Sequence, residues 1–148
     1  MASMIFANPI LNMIPLKVLN KFKMIRYFTF LDDEAEVVFR WAFKPAEPNI
    51  DFDKSNQEPC SSFAPFRVFN VGNSTPINLE DFIEMLENAL GIKAIKDYQP
   101  MQSGDVIATF SDSKLLENWI QFKPSTSFKK GIDEFASWYL KYYQDNLF

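Results

Sequence analysis

The chain contains no histidine, a single cysteine and only four glycines. Each shortage excludes something. Without histidine, general acid–base work near neutral pH falls to carboxylates, and no pair of these is marked by its context as more than surface charge. No cluster has metal-ligand spacing. Cys60 by itself closes no intramolecular disulfide, which fits a reducing compartment; with no His to act as its base it reads as a bystander rather than a nucleophile. The glycines (72, 91, 104 and 131) lie far apart, so there is no Gly-rich turn of the kind that cradles a pyrophosphate at a helix N-terminus. No apolar run is long enough to cross a bilayer. The apolar start as far as Leu19 lacks a basic n-region and is broken by Asn8, Pro9, Asn12 and Pro15, so it does not read as a signal peptide. A cytoplasmic protein is the expectation. Basic residues are outnumbered, 15 against 19 acidic, for a net charge of −4. No basic stripe interleaves with the aromatics, which disfavours a nucleic-acid partner.

What is abundant is apolar and aromatic. Hydrophobic residues make up 47% of the 148, and 16 are Phe. That is enough for one ordinary domain spanning 1–148 with a dense core, or a core plus apolar surface meant for a partner. Along the chain, Met4, Ile5, Ile10, Leu11 and Met13 form a helical stripe over residues 2 to 13, with Pro9 predicting a kink or early stop. Leu16–Leu19 reads as a short strand and Phe28–Leu31 as a second strand or turn. A helix opens at Asp32 or Asp33, where three acidic residues favour the positive end of the macrodipole, and ends at Pro45. Its predicted buried face is Ala35, Val38, Phe39 and Ala42.

Residues 45–65 are polar, Pro-punctuated and aperiodic, a long loop expected to be flexible. Arg67–Val71 is β-rich. Leu79–Leu90 is the clearest helix, with Asn78 at the N-cap, Gly91 at its end, and Leu79, Phe82, Ile83, Leu86, Ala89 and Leu90 on one face. A short helix over Ser111–Trp119 turns Leu115, Leu116 and Trp119 inward. A last helix from Phe128 to about Tyr143 buries Phe128, Ile132, Phe135, Trp138, Tyr139 and Tyr142. The sum is α/β, helix-rich with a few short strands.

Several strings, in this order, carry a family likeness. Pro15-Leu-Lys-Val-Leu-Asn20 resembles a Pro-Ile-Asp-Val-Tyr-Asn strand. Arg26-Tyr-Phe-Thr-Phe-Leu-Asp-Asp33 resembles Arg-Asp-Phe-Thr-Tyr-Ile-Asp-Asp, and Pro100-Met-Gln-Ser-Gly-Asp-Val106 resembles Pro-Met-Gln-Pro-Gly-Asp-Val. Phe69-Asn-Val-Gly-Asn-Ser-Thr-Pro76 and the tail from Phe122-Lys-Pro-Ser-Thr126 to Trp138-Tyr139 extend the match. The chain resembles the second half of an NAD-dependent nucleotide-sugar epimerase of the extended short-chain dehydrogenase type. The similarity is strongest to the UDP-glucuronate 4-epimerases of capsule and lipopolysaccharide synthesis.

The resemblance implies a C-terminal substrate-binding lobe without its Rossmann domain. It implies that Arg26 reaches the diphosphate of a UDP-sugar, a task suited to a guanidinium fork. Asp105 would accept from the ribose hydroxyls, and Gln102 would donate to phosphate or ribose. Lys17 would offer backbone groups to the uracil edge, and Leu19 would cover the base. Taken without the resemblance, an Arg before a strand is an ordinary surface residue and Gly-Asp an ordinary turn.

No catalytic residue is carried over, because the family's Tyr base with a Lys four residues on has no counterpart: none of the five Tyr is so followed. NAD belongs to the intact family and is expected not to bind this chain alone. The partners implied are a weakly held UDP-sugar and either a separately encoded Rossmann half or a second copy. The sequence also departs from the family. Leu19 replaces an aromatic over the base, Tyr27 replaces an Asp, and Met13, Phe22 and Gln121 stand where Gly is expected. Wherever one of these positions requires positive φ, a side chain there costs about 1–2 kcal/mol.

Overall fold

The structure, a computed structural model, describes residues 2–20, 24–56, 60–109 and 111–145. The chain divides into two compact units. The first comprises Met1–Phe28, Thr75–Phe110 and Thr126–Phe148, and the second Thr29–Ser74 and Ser111–Ser125.

In the first unit α1 (Ala2–Leu11), α3 (Leu79–Leu90) and α5 (Phe128–Asp145) pack together beside two small sheets. One pairs β1 (Leu16–Leu19) in parallel with β4 (Lys96–Gln99); the other pairs β2 (Ile25–Tyr27) antiparallel to β3 (Pro76–Asn78). α3 is the central element. Its predicted apolar face is the observed one, with Phe82, Ile83, Leu86 and Leu90 buried. Phe82 is fully enclosed by rings, 5.2 Å from Phe6, 5.2 Å from Phe28 and 5.3 Å from Phe128. Such tilted and edge contacts add to the stability that burial alone provides. Ile83 packs on Leu16 and Val18 of β1. Gly91 closes the helix in the left-handed conformation, φ 71. Asn78 stands at the N-cap position, but its amide donates to Asp81 instead of accepting from the first turn. Pro9 sits inside α1, which ends two residues later.

One charged side chain belongs to this core. Glu87 is only 3% exposed. It accepts from Lys93 Nζ at 2.8 Å, Lys96 Nζ at 3.1 Å and the backbone N–H of Ala94 at 3.0 Å. The carboxylate therefore ties the end of α3 to the turn leading into β4.

The second unit holds α2 (Leu31–Ala42) and α4 (Lys114–Ile120) around Val37, Leu116 and Ile120, flanked by Trp41, Phe69, Val71, Trp119 and Phe122. The Ser113 hydroxyl donates to Gly72 O at 2.9 Å. Residues 45–65 hold neither helix nor named strand among those described, and an isolated bridge joins Ser61 to Arg67.

Several expectations shift. The second strand is Ile25–Tyr27 rather than Phe28–Leu31, Arg67–Val71 contributes only the bridge at Arg67, and β3 and β4 were not anticipated. α2 turns Val37 and Trp41 inward and leaves Val38 64% and Phe39 60% exposed, the reverse of the expected face, and Phe43 at its C-cap is 76% exposed. Leu115, Trp138 and Tyr142 are likewise exposed. Two of the positions where the family carries Gly are left-handed: Met13 at φ 53 and Gln121 at φ 52. Phe22 lies outside the described residues. Asn20, at φ 53, is a residue type that tolerates this region.

Two outcomes follow for stability. Met13→Gly relieves left-handed strain at an exposed position, offset by the larger unfolded-state entropy of Gly, and should stabilise the chain by about 0.5–1 kcal/mol in denaturant melts. Gln121→Gly should gain less, because the Gln121 side chain also donates to Asn118 O. For Glu87, burial opposes the charged form, but the bonds from Lys93, Ala94 and Lys96 outweigh it and hold the carboxyl below its ordinary 4.5. A depressed folded-state pKa contributes stability above that ordinary value and loses it as pH falls through the folded pKa. Glu87→Gln should therefore cost about 1–3 kcal/mol at pH 7. The gap to the parent should close progressively in melts below pH 4.5. A gap that stays constant with pH would show that the ionised carboxylate is not what stabilises this corner.

Candidate functional site

The five residues singled out in the sequence all lie in the first unit. β1 alternates, with Leu16 and Val18 buried against α3, Lys17 exposed and Leu19 half-buried on the opposite face. Gln102 and Asp105 follow β4 on an irregular segment, where the Asp105 N–H donates to Gln102 O at 3.2 Å and Gly104 takes φ 91. Gly104 is thus used for a backbone shape that other residues avoid. Gln102 is exposed and Asp105 half-buried.

Arg26 joins this segment to β2. Its Nη2 donates to Val106 O at 2.8 Å, and its Nη1 donates to Ile107 O at 3.2 Å and to Ile25 O at 2.9 Å. The backbone adds Ile25 N–H to Ile107 O at 2.8 Å and a bridge between Ile25 and Ala108. Arg26 and the Gly104-Asp105 turn are therefore brought together, with the guanidinium seated on the carbonyls immediately after Asp105. Lys17 and Leu19 are not joined to Arg26 in this way; β1 pairs with β4, setting Lys17 beside Asp97 and Leu19 beside Gln99, three residues before Gln102.

Chemically, the Nη1 hydrogens and one Nη2 hydrogen of Arg26 serve backbone carbonyls, whereas the Nε–H and the other Nη2–H take no part in these bonds. A guanidinium carries five N–H donors, so these bonds leave donor capacity of the kind that suits a phosphate or carboxylate. The sequence identified Arg26 as a phosphate contact and missed its second task, holding the 106–107 backbone. No side-chain pattern advertises carbonyl acceptors.

No protein-family model matches the chain. It is 40% identical over 144 residues to the protein CapI of Staphylococcus aureus, covering 97% of this chain and 43% of that protein. Against a probable UDP-glucuronate 4-epimerase of Rhizobium meliloti it is 38% identical over 145 residues, covering 97% of this chain and 42% of that one. The chain belongs to the nucleotide-sugar epimerase family. It spans about two fifths of the length of these relatives. Its fold is shared with part of a UDP-glucuronic acid 4-epimerase from Bacillus cereus, solved in complex with UDP-glucuronic acid and NAD. That match has a TM-score of 0.74 at 20% identity and covers 95% of this chain and 40% of that one.

Epimerases of this family use NAD, and the residues present here do not fit it. Gly91 ends a helix rather than starting one, Gly104 lies in a turn, and Gly131 is inside α5. A Cβ at Gly72 would meet Ser111 at 3.3 Å, so that glycine serves close backbone packing. No glycine turn precedes a helix N-terminus among the described residues, and no group of three or more His, Cys, Asp or Glu gathers there to hold a metal. No helix among them is long and apolar enough to cross a membrane.

The Arg26 bonds can be tested directly. Arg26→Ala removes charge-assisted bonds to several carbonyls and should cost about 1.5–3 kcal/mol. Hydrogen exchange at the Ile25 amide should accelerate, with Arg26→Lys intermediate because an ammonium cannot span the same carbonyls. Unchanged Ile25 protection in the Ala variant would mean that Arg26 does not hold this segment.

Proposed function

We propose that the chain is the C-terminal, nucleotide-sugar-binding lobe of a UDP-glucuronate 4-epimerase-like protein, contributing UDP-sugar binding but no catalysis by itself. The observation that carries this is the union of Arg26 with the segment following Asp105. A guanidinium seated on the backbone that directly follows a carboxylate residue supports this reading, because such a cation suits a diphosphate and such a carboxylate an adjoining ribose. In this assignment Arg26 binds the diphosphate, Asp105 the ribose hydroxyls and Gln102 either, while Lys17 and Leu19 border the base. The redox step, which needs a dinucleotide cradle and a Tyr base, lies outside these residues. One charged contact contributes about 1.5–3 kcal/mol, so a few of them imply a Kd near millimolar.

A second reading, an interaction module, draws on α2. Val38, Phe39 and Phe43 are exposed along that helix, beside an open depression lined by Val38, Trp41, Ala42 and Pro45. An exposed apolar face of this kind suits a second copy or a separately encoded Rossmann half. The capsule and lipopolysaccharide context and a cytoplasmic location are part of the same proposal.

The test is an NMR titration of the purified chain with UDP-glucuronate to about 10 mM, the range in which a millimolar site saturates. Shifts concentrated at Arg26 and the 102–107 backbone, abolished by Asp105→Ala, are expected, with no hydride transfer on adding NAD. An unchanged spectrum throughout would defeat the binding assignment. Light scattering on the same sample separates the two readings, because the interaction module alone requires particles larger than one chain.

A further inference from the structure

The outer side of α2 carries a regular pattern. Leu31, Ala35, Val38 and Ala42 are all exposed, Leu31 to 72%, and their spacings of four, three and four residues follow the repeat of a helix-pairing seam. Towards the end of that seam lies the open depression lined by Val38, Trp41, Ala42 and Pro45. The first three belong to α2 and the fourth lies just past it. Counted from Val38, the others stand three, four and seven residues on, the outline of the hole between successive turns of one helix. A hole of that outline takes one side chain projecting from a second helix.

We propose that the occupant is α2 of a second copy of this chain, packed antiparallel about a two-fold axis. This deepens the interaction-module reading above, on which it rests, by naming the partner. The side chain that fits the hole is on the same helix. When the two copies run in opposite directions, Leu31 of each enters the depression of the other. The same register sets Leu31 against Ala42 and Ala35 against Val38, so every layer joins a large side chain to a small one, the arrangement that fills the space between helices. The two-fold axis makes each of these layers twice. Parallel pairing would instead oppose Leu31 to its own copy and leave each Ala facing another Ala across a gap. Charge favours the same direction. Asp32, Asp33 and Glu34 occupy the first turn of α2, and Arg40 and Lys44 the other end. Parallel copies bring like charges level, whereas antiparallel copies bring the acidic turn level with cations. Phe39 and Phe43, exposed and edge-on to one another at 5.1 Å, border the seam and widen the apolar area covered.

The experiment uses the full purified chain. Sedimentation equilibrium should show a monomer–dimer equilibrium. In a mixture of isotope-labelled and unlabelled chains, filtered NOEs should link the Leu31 methyls of one copy to the Ala42 methyl of the other. Leu31→Ala removes the projecting side chain and Ala42→Leu fills the hole, and each should weaken dimerisation about tenfold or more. The double variant Leu31→Ala with Ala42→Leu exchanges large and small within one layer and should recover most of the parent affinity. An unspecific oily patch would instead gain from Ala42→Leu alone. Both positions are exposed in the single chain, and retained spectral dispersion establishes that each variant is folded. Particles that form without the Leu31–Ala42 contact, or a double variant no tighter than the single ones, overturn this inference alone and leave the α2 face to another occupant, such as a separately encoded Rossmann half. A chain that stays single up to about 1 mM overturns it together with the interaction-module reading.

Discussion

The first unit depends on α3, and α3 depends on Phe82. That ring has no exposed surface and is met by Phe6 from α1, Phe28 from the end of β2 and Phe128 from the start of α5. A substitution there would release three segments at once, since well-packed interiors relax only partly around a lost ring. The next residue, Ile83, holds β1, and one turn beyond it Glu87 holds the approach to β4. Successive turns of one helix thus set the position of both strands that border the candidate site.

This arrangement explains how the site is supported. β1 and β4 are each only four residues long, and a two-stranded sheet of that length has little stability of its own. Their pairing persists because both strands are anchored to the same helix, one by apolar contact and one by a buried ion cluster. The segment from Pro100 onward has no regular structure to lend, and Arg26 supplies the order instead by collecting its carbonyls. A residue type usually valued for its charge acts first as a backbone clamp. In the proposed function the donors not spent on carbonyls meet the ligand.

What was legible in the sequence follows from the same physics. α3 has a clean 3.6-residue period, a glycine stop and one buried face, so its limits and its core residues were apparent from the pattern. α2 was misread because it carries apolar residues on two sides. Periodicity reports that an apolar face exists, not which of two faces is covered, and Val37 and Trp41 won that contest through Phe69 and Leu116. β3 and β4 escaped notice because Pro-Ile-Asn and Lys-Asp-Tyr-Gln are short and mostly polar, whereas β1, no longer than β4, carries Leu16, Val18 and Leu19. Glu87 was invisible as a core residue, since its burial depends on Lys93 and Lys96 folding back upon it. For the site, the motif strings indicated which residues to watch. The carbonyl clamp at Arg26 could not be read there, because it depends on which distant segment comes to lie beside β2. Met13 and Gln121 were the opposite case: missing glycines pointed to left-handed backbone, and φ values of 53 and 52 followed.

The uncovered side of α2 has a consequence for how molecules of this chain meet in solution. Val38, Phe39 and Phe43 form an oily strip on a molecule whose net charge is only −4. Mutual repulsion of that size keeps neighbours apart at low ionic strength, but at physiological salt it is damped within roughly 8 Å. If such strips pair, as the interaction-module proposal holds, added salt lowers the electrostatic barrier between like-charged chains, so the pairing grows with ionic strength.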